Sequence, residues 1–589
     1  MSKENARPKQ SFLKGALVLS LAALIVKIIG AVFKIPLANI LGGDGMGYYT
    51  TAYDMYMPIY VLSNAGLPVA VARVVAECTS KGRFRDARKV LKLSNLIFFC
   101  TGLTGMLIMF LGAEWFVNYI KNPGAYLAVM MMAPTVFFVC LTCSFRGYYE
   151  GLQNMVPTAI SQVVEALVKL ILGLGLSMFI YSYGMNDYAT TGMVFGKICE
   201  SVDAAKLVVL QYAAGGAIAG VGLGSLGAAL SIYLKHKISG DSITREELDA
   251  PQIDTPKRKL AKRIITFAIP IALGSCVSQL TNVIDLFTIM RRLHDAVGIN
   301  AEAIISMYNG AIPASHALAD IPNFLNGSYK GLAVTLYNLL PTFTVAMGVS
   351  ALPAVTVAWE KNDHESLKTN VEAALRATLI LAIPAGLSMA LLSEDILMLL
   401  FGSRPDEVTI AAPLLFFLGI AVIFSATCSP VNSMLQATGH TYVPLIIMAC
   451  CSFVKIGLNY VLVGIPEINI RGAAVSTLIC YMLIMTVSVI CLLRITKIKA
   501  NYMSIFIKPA IGGVSCALSA YFSCRLFEGI LPSENLATIG AIAVGVAVYV
   551  IVMVLIRGLE DSDILMLPKG EKLLKIYNKL PSLVKKAKS

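Results

Sequence analysis

The sequence predicts an all-α integral membrane protein with 14 transmembrane helices: two six-helix lobes, parallel repeats of each other, plus two additional C-terminal helices. Three observations carry this expectation. The 589 residues are 57% hydrophobic and 14% charged, whereas ordinary soluble domains are about 25% charged. Apolar runs of about 20 residues, enough to cross a bilayer as a helix, recur along the whole chain. The second half also echoes the first, with MGVSALPAVTVAWEK at 347–361 answering SNAGLPVAVARVVAE at 63–77.

The first dozen residues are polar and basic, and the apolar run that follows is expected to stay as a helix rather than be cleaved as a signal peptide. Spans 1–6 are read at 13–37, 48–72, 93–113, 124–145, 155–182 and 207–234. A tight glycine turn, Gly42-Gly43-Asp44-Gly45, is expected between the first two. The basic stretch KGRFRDARK at 81–89 reads as a short loop or interfacial helix facing anionic headgroups. Span 4 runs into FRGYYEGLQNMVP at 145–157, and a polar insertion follows span 5 near 183–206. The linker at 236–259 marks the boundary between lobes, and TREE at 244–247 offers a short capped helix.

Spans 7–12 are read at 264–289, 331–358, 377–398, 410–433, 444–464 and 472–493. An outside insertion at 291–326 separates the first two of these. Its PASHALADIPNF run is expected to form a short interfacial helix. VNSMLQATGHTYVP at 431–444 repeats the turn after span 4, and RGAAVS at 471–476 repeats GGAIAG at 215–220. Pro68 and Pro353, like Pro157 and Pro444, occupy equivalent places. Spans 13 and 14, at 503–524 and 535–556, stand outside the repeat. A lysine-rich tail from Gly570, interfacial or disordered, follows them. The expected organisation is therefore 1–235 as the N-terminal lobe, 236–263 as a cytoplasmic linker, 264–494 as the C-terminal lobe, and 495–589 as the last two spans and a basic tail.

The net charge of +13 does not point to nucleic acid. Most of the 48 lysines and arginines fall in alternate connections, on one side of the bilayer. This asymmetry puts both termini in the cytoplasm of a cell-membrane protein. The 13 cysteines lie mostly in apolar runs and suggest no disulfide framework. Cys140 and Cys143 form one C-x-x-C, without the second pair a metal site would need. Walker, H-E-x-x-H and G-x-S-x-G signatures are absent, and the histidines are scattered through loops. No catalytic residue, cofactor or metal is expected, and a transporter is favoured over an enzyme.

A charge inside a span costs at least ~2.5 kcal/mol and by default faces a bundle interior or cavity. Lys27 and Lys34 share a face of span 1 two turns apart, and Asp54 lies on span 2. Glu165 and Lys169 stand at i,i+4 on span 5, where they can pair, and Lys455 sits in span 11. Tyr49, Tyr53, Tyr56 and Tyr60 line one face of span 2, for packing or for contact with sugars. Lys27 can also snorkel to the cytoplasmic interface. The excess of cations on a cavity wall would suit a phosphate or pyrophosphate. Lys27, Lys34, Tyr53, Asp54, Glu165 and Lys169 are the candidate substrate-binding residues.

LANILGGDGMGYYTTAYDMYMPIYVLSNAGLPVAVARVVAE at 37–77, AIPIALGSCVSQLTNVIDLFTIMRRL at 268–293 and the Gln–Gly–Pro turns after spans 4 and 10 resemble the stage V sporulation protein B-like polysaccharide transporters. These belong to the multidrug/oligosaccharidyl-lipid/polysaccharide flippase superfamily. The resemblance implies alternating access and outward movement of an undecaprenyl-pyrophosphate-linked oligosaccharide by a monomer among membrane lipids. Lipid II is the leading candidate substrate. It also implies that Lys27 takes the place of a cavity arginine of related flippases, whose next arginine falls on Phe33 beside Lys34. Asp285 matches a sodium ligand of some relatives, and their span-11 partners fall on Lys455 and Asn459. There the lysine would stand in for the ion, with Asp285 within salt-bridge reach. The alternatives are a flippase for another cell-surface polysaccharide precursor, a cation-coupled drug exporter, and a membrane-embedded glycan transferase or ligase. An exporter of cationic drugs would favour an acidic cavity. A transferase would need acidic or nucleophilic residues on the longest outer loop, which offers Asp295, Glu302 and Asp320. A non-transporting scaffold is the last reading.

Overall fold

The computed structural model describes residues 12–560 apart from positions 65, 242, 253 and 279. The described chain is almost entirely helical. In order come α1 (Phe12–Asn64), α2 (Leu67–Ser80), α3 (Phe84–Tyr119), α4 (Tyr126–Gly151), α5 (Val156–Thr191), α6 (Val202–Ser239), α7 (Arg245–Asp249), α8 (Lys257–Ser278), α9 (Leu280–Met307) and α10 (Ile321–Ser328). After a π turn at Tyr329–Ala333 follow α11 (Val334–Tyr337), α12 (Leu339–Glu360), α13 (His364–Leu391), α14 (Ser393–Phe401), α15 (Pro405–Ala437), α16 (Tyr442–Leu462) and α17 (Arg471–Thr496). A second π turn, Met503–Ile507, leads into α18 (Lys508–Glu528), and α19 (Glu534–Leu555) is last.

Among the described residues, 11 stretches are helical, long and apolar enough to cross a membrane, so this is a multi-pass membrane protein. The first of them, Leu21–Ser80, holds the second expected span and the first from Leu21 on. Here the expected four-residue glycine turn contracts to a single break. Gly42 takes φ 60° and ψ −167° and the helix resumes at once, because a left-handed φ is open to glycine at little cost. The expected span at 264–289 falls on α8–α9 and that at 331–358 on the end of the first π turn, α11 and α12, and several side chains in α8, α9 and α12 lie outside the described residues.

Elsewhere the helices depart from the expected boundaries in readable ways. α5 has 36 residues, about 54 Å at 1.5 Å per residue, and so takes in the start of the polar insertion at 183–206. The middle of that insertion is a hairpin of two-residue strands, Met193–Val194 against Lys197–Ile198, turned by Gly196 at φ 82°. The PASHALADIPNF run is helical only at its end, from Ile321. The TREE helix forms as expected, since Thr244 accepts from the Glu247 backbone N–H and Glu247 caps in return. The tail from Gly570 lies outside the described residues.

The described chain folds as two compact units. One contains the residues up to His294 together with Ala314–Gly327; the other contains Asp295–Pro313 and the residues from Ser328 onward. In the first, packing between helices rests on small residues, the usual device where lipid offers no hydrophobic drive for association. Gly220 of α6 lies directly on Gly173 of α5, leaving no space for a side chain. A methyl at Gly147 would stand 2.6 Å from the Pro68 carbonyl oxygen, and one at Gly151 2.6 Å from that of Ala72, which sets α4 close on α2. In the second unit, Gly386 of α13 and Gly419 of α15 meet in the same way. There the buried Arg376 pairs with Glu560 at 2.9 Å and donates to Ser504 at 3.0 Å, joining α13 to the π turn before α18 and to the chain after α19.

The polar linker is anchored along its length to the first unit. Arg88 grips Asp241 with two bonds of 2.8 and 2.9 Å, and the Tyr148 hydroxyl donates to the same carboxylate at 2.8 Å. Arg85 donates to the Leu248 carbonyl at 2.6 Å and Thr255 to Asp86 at 2.6 Å. Burial alone would raise the Asp241 carboxyl, but the Arg88 and Tyr148 hydrogen bonds outweigh it and hold the group below the ordinary carboxylate value.

Gly220→Leu should force α6 from α5. Overpacking at such a contact costs about 1–3 kcal/mol, to be read as a lowered unfolding temperature of the purified protein. Gly175→Leu, where a side chain meets open space, should leave that temperature nearly unchanged.

Candidate functional site

The first half of α1 and the N-terminal half of α5 enclose a cleft of about 330 Å³ within the first unit. α1 presents Lys27, Gly30 and Phe33, among others, and α5 presents Gln162, Glu165, Ala166 and Lys169. Spacing explains the convergence: Lys27 and Gly30 are one turn apart, as are Gln162, Glu165 and Lys169. Pro157 sits at the first turn of α5, where its missing N–H is no loss.

The structure brings Lys27, Glu165, Lys169 and Tyr53 together. Lys169 Nζ donates to Tyr53 Oη at 3.1 Å and stands 4.8 Å over the Phe33 ring and 5.5 Å over the Tyr53 ring. Two aromatic faces thus hold a cation in an otherwise apolar setting. Lys34 and Asp54 lie within electrostatic reach of each other, and Lys34 within reach of Lys169. The tyrosine stripe forms a continuous ladder from Phe33. Ring centroids are 6.4 Å apart for Phe33–Tyr49, 5.0 Å for Tyr49–Tyr53, 6.0 Å for Tyr53–Tyr56 and 5.4 Å for Tyr56–Tyr60.

Glu165 pairs with Arg146 instead of with Lys169. Arg146 Nη2 donates to Glu165 at 2.9 Å, Arg146 Nε donates to Ser161 at 2.9 Å, and Ser225 donates to Glu165 at 3.2 Å. Arg146 is the residue that sequence reasoning missed. Its signal was the turn FRGYYEGLQNMVP, which folds the end of α4 back beside the start of α5. Of the charged groups, Lys27, Lys169 and Glu165 line the cleft, and Arg146 takes Glu165, so the lining carries more positive than negative charge.

The three expected coupling residues divide between the units. Asp285 lies half-buried on α9 in the first. Lys455 and Asn459 lie buried on α16 in the second, where Ser476 donates to Asn459.

A second polar cluster gathers at the Gly42 break. His316 Nε2 lies 2.9 Å from Asp44 Oδ2, with both side chains less than a tenth exposed. Asn323 donates to the Asp44 carbonyl at 3.0 Å, and Asn122 donates to Asn323 at 2.8 Å and to Thr51 at 3.2 Å. Gly327 packs directly on Gly43. Burial disfavours the charged His316 ring, but the Asp44 hydrogen bond and charge, with Asp320 behind them, raise it above its ordinary value. Among the described residues, one group could hold a metal ion, Asp395, Cys524 and Glu528. The Arg525 guanidinium already meets both of its carboxylates, at 3.5 Å and 2.8 Å.

With this geometry in place, comparison with known proteins decides the family. Residues 12–360 match the model of the polysaccharide biosynthesis protein family. The chain belongs to that family. Residues 316–533 also match the model of the lipid II flippase MurJ family. Stage V sporulation protein B of Bacillus subtilis is 24% identical over 95% of this chain and 98% of its own length. Lipid II flippase MurJ of the same organism is 23% identical over 80% of each chain. The fold agrees with a solved structure of lipid II flippase MurJ in an inward closed conformation, at a TM-score of 0.59 and 15% identity over 91% of this chain and 98% of that one. An inward-facing multidrug resistance MATE family transporter of the MOP superfamily also gives a TM-score of 0.59, at 15% identity over 82% of this chain and all of that one. The resemblance read from the sequence thus holds: the chain belongs to the polysaccharide biosynthesis proteins and is similar to stage V sporulation protein B and to the lipid II flippases.

Two outcomes test the site's electrostatics. Arg146→Gln should destabilise the protein by about 1–3 kcal/mol, since it leaves Glu165, a part-buried carboxylate, without its cation. Arg146→Gln with Glu165→Gln should recover most of that loss, measured by thermal unfolding of both variants. The raised His316 value means that its pairing with Asp44 is fully present below the ordinary histidine value and is lost as pH rises through the raised one. Hydrogen exchange in segment 314–327 should therefore quicken with rising pH beyond its intrinsic dependence, and His316→Gln should abolish that extra quickening.

Proposed function

We propose that this protein is a flippase that carries an undecaprenyl-pyrophosphate-linked oligosaccharide, lipid II first among them, from the inner to the outer leaflet. The observation that carries the reading is the pair of lysines, Lys27 and Lys169, in the lining of the α1–α5 cleft, whose one carboxylate, Glu165, is already paired with Arg146. A pyrophosphate supplies two negative charges and a set of acceptor oxygens, and so balances both the charge and the hydrogen bonding. The tyrosine ladder beside it offers faces and hydroxyls to sugar rings. The names of the relatives, a sporulation protein and a lipid II flippase, agree with such a cargo. A drug exporter fits less well, because cationic drugs would meet like charge.

In this reading the chain crosses the membrane 14 times, both termini are cytoplasmic, the two six-helix lobes alternate access, and it performs no covalent chemistry. Lys27, Lys34 and Lys169 bind the pyrophosphate, with Arg146 holding Glu165 away from Lys169. Lys455, a buried cation on α16, occupies the place where relatives hold sodium.

Outward movement of lipid II by the purified protein in liposomes tests the function. Lys169→Met and Lys27→Met should each slow it about tenfold or more, the loss of one charge-assisted hydrogen bond of roughly 1.5–3 kcal/mol. An undiminished rate in both would remove the pyrophosphate assignment. The second reading, another lipid-linked polysaccharide precursor, shares the pyrophosphate, so it predicts the same sensitivity with a different glycan in the same liposomes. Replacing sodium by potassium should leave the rate unchanged.

A further inference from the structure

The first unit holds a second, larger pocket, about 510 Å³, which shares no lining residue with the α1–α5 cleft. It lies between the end of α2, the turn into α3, the linker at 251–256 and the start of α8. Its charged lining is uneven: Lys81, Arg83, Lys259 and Arg263 face Glu77 and Asp254. Three of the cations converge on one carboxylate, with Lys81 and Arg263 each 2.7 Å and Arg83 3.9 Å from Glu77. Asp254 is already taken by Lys89, which is not part of the lining. Lys259 has no ion-pair partner among the described residues, and Arg83 Nε is buried without a hydrogen-bond partner. Asp86 lies 3.9 Å from Arg83 and 3.5 Å from Lys89, so five cations (Lys81, Arg83, Lys89, Lys259 and Arg263) meet three carboxylates (Glu77, Asp86 and Asp254), and the set stays positive. Of the rest of the lining, Val74, Cys78, Pro251, Pro256 and Leu260 form an apolar wall, and Gln252 and Thr255 are polar but uncharged.

We propose that this pocket is a binding site for a phosphate group, which bridges the α2–α3 turn to the start of α8. A phosphate fits in three respects. It brings the missing negative charge, its oxygens accept from guanidinium and ammonium donors at once, and the apolar wall can take the carbon skeleton of an ester. The pocket lies on the side that the lysine and arginine asymmetry places in the cytoplasm, where both anionic phospholipid headgroups and free phosphate occur. Occupied, it adds a tie between α2 and α8 to the bonds through which Arg83, Arg85 and Arg88 already hold the linker. The inference is independent of the cargo assigned to the cleft.

The test uses the full-length protein purified in neutral detergent, with unfolding temperature measured against added phosphatidylglycerol, phosphatidylcholine or inorganic phosphate. Phosphatidylglycerol, inorganic phosphate or both should stabilise it, and phosphatidylcholine should not. Stabilisation by both identifies the phosphate group itself as the ligand, and stabilisation by the lipid alone identifies a headgroup site. Arg83→Gln, and Lys259→Gln with Arg263→Gln, should weaken the effective affinity about tenfold or more. Lys257→Gln with Arg258→Gln, exposed on the same helix but outside the pocket, should change it less than twofold. Equal losses in the pocket and control pairs would mean diffuse attraction to a basic surface and would overturn the proposal, as would stabilisation by neither anion. Each variant's unfolding temperature without ligand separates loss of binding from loss of fold.

Discussion

The pairing of Arg146 with Glu165 sets the character of the site. A charge among apolar helices must be neutralised, hydrogen-bonded or given a watery cavity. Had Glu165 met Lys169 along its own helix, the two would have cancelled and the cleft would have been close to neutral. Arg146 arrives instead from α4, takes Glu165 at 2.9 Å and leaves Lys169 to Tyr53 and the Phe33 ring. A guanidinium suits that place better than an ammonium, because its fork reaches Ser161 and Glu165 together. The surplus of positive charge at the cleft is thus a consequence of helix packing.

That packing depends in turn on small residues. α5 and α6 approach until Gly173 and Gly220 touch, and α4 sits on α2 through Gly147 and Gly151. With helices this close, the side chains on their facing surfaces have little freedom, which keeps Arg146, Glu165 and Ser225 in register. The same economy appears at the Gly42 break. There a left-handed residue aims Asp44 at His316, and Gly327 seats the 314–327 segment on the backbone of α1. The chain on either side of that segment belongs to the other compact unit, so these contacts fasten a piece of covalently continuous chain that leaves the first unit at both ends.

Membrane class, helical composition and many helix positions were legible in the sequence, because in lipid a spanning segment must satisfy its backbone internally and present apolar side chains. The capping box at Thr244 was legible for a similar reason: cap and N3 partner are three residues apart and need nothing else. Boundaries were less so. α5 runs past the apolar stretch to Thr191, and the PASHALADIPNF run becomes helical only at Ile321, since hydropathy marks where lipid lies and not where hydrogen bonding ends.

The candidate site divides along the same line. Taken alone, the sequence determined which charges would lie within the membrane-spanning helices, that Lys27 shares a helical face with Lys34, and that the tyrosines line a single stripe. Those properties follow from the 3.6-residue period and the cost of exposing charge to lipid. Only the tertiary structure decided that Glu165 belongs to Arg146, that Lys169 rests on Phe33, and that Asp44 meets His316 across 272 positions of chain. Partners so distant in sequence leave no periodic trace, and between two equally placed cations the choice falls to whichever helix packs close enough to bring its charge within hydrogen-bond reach.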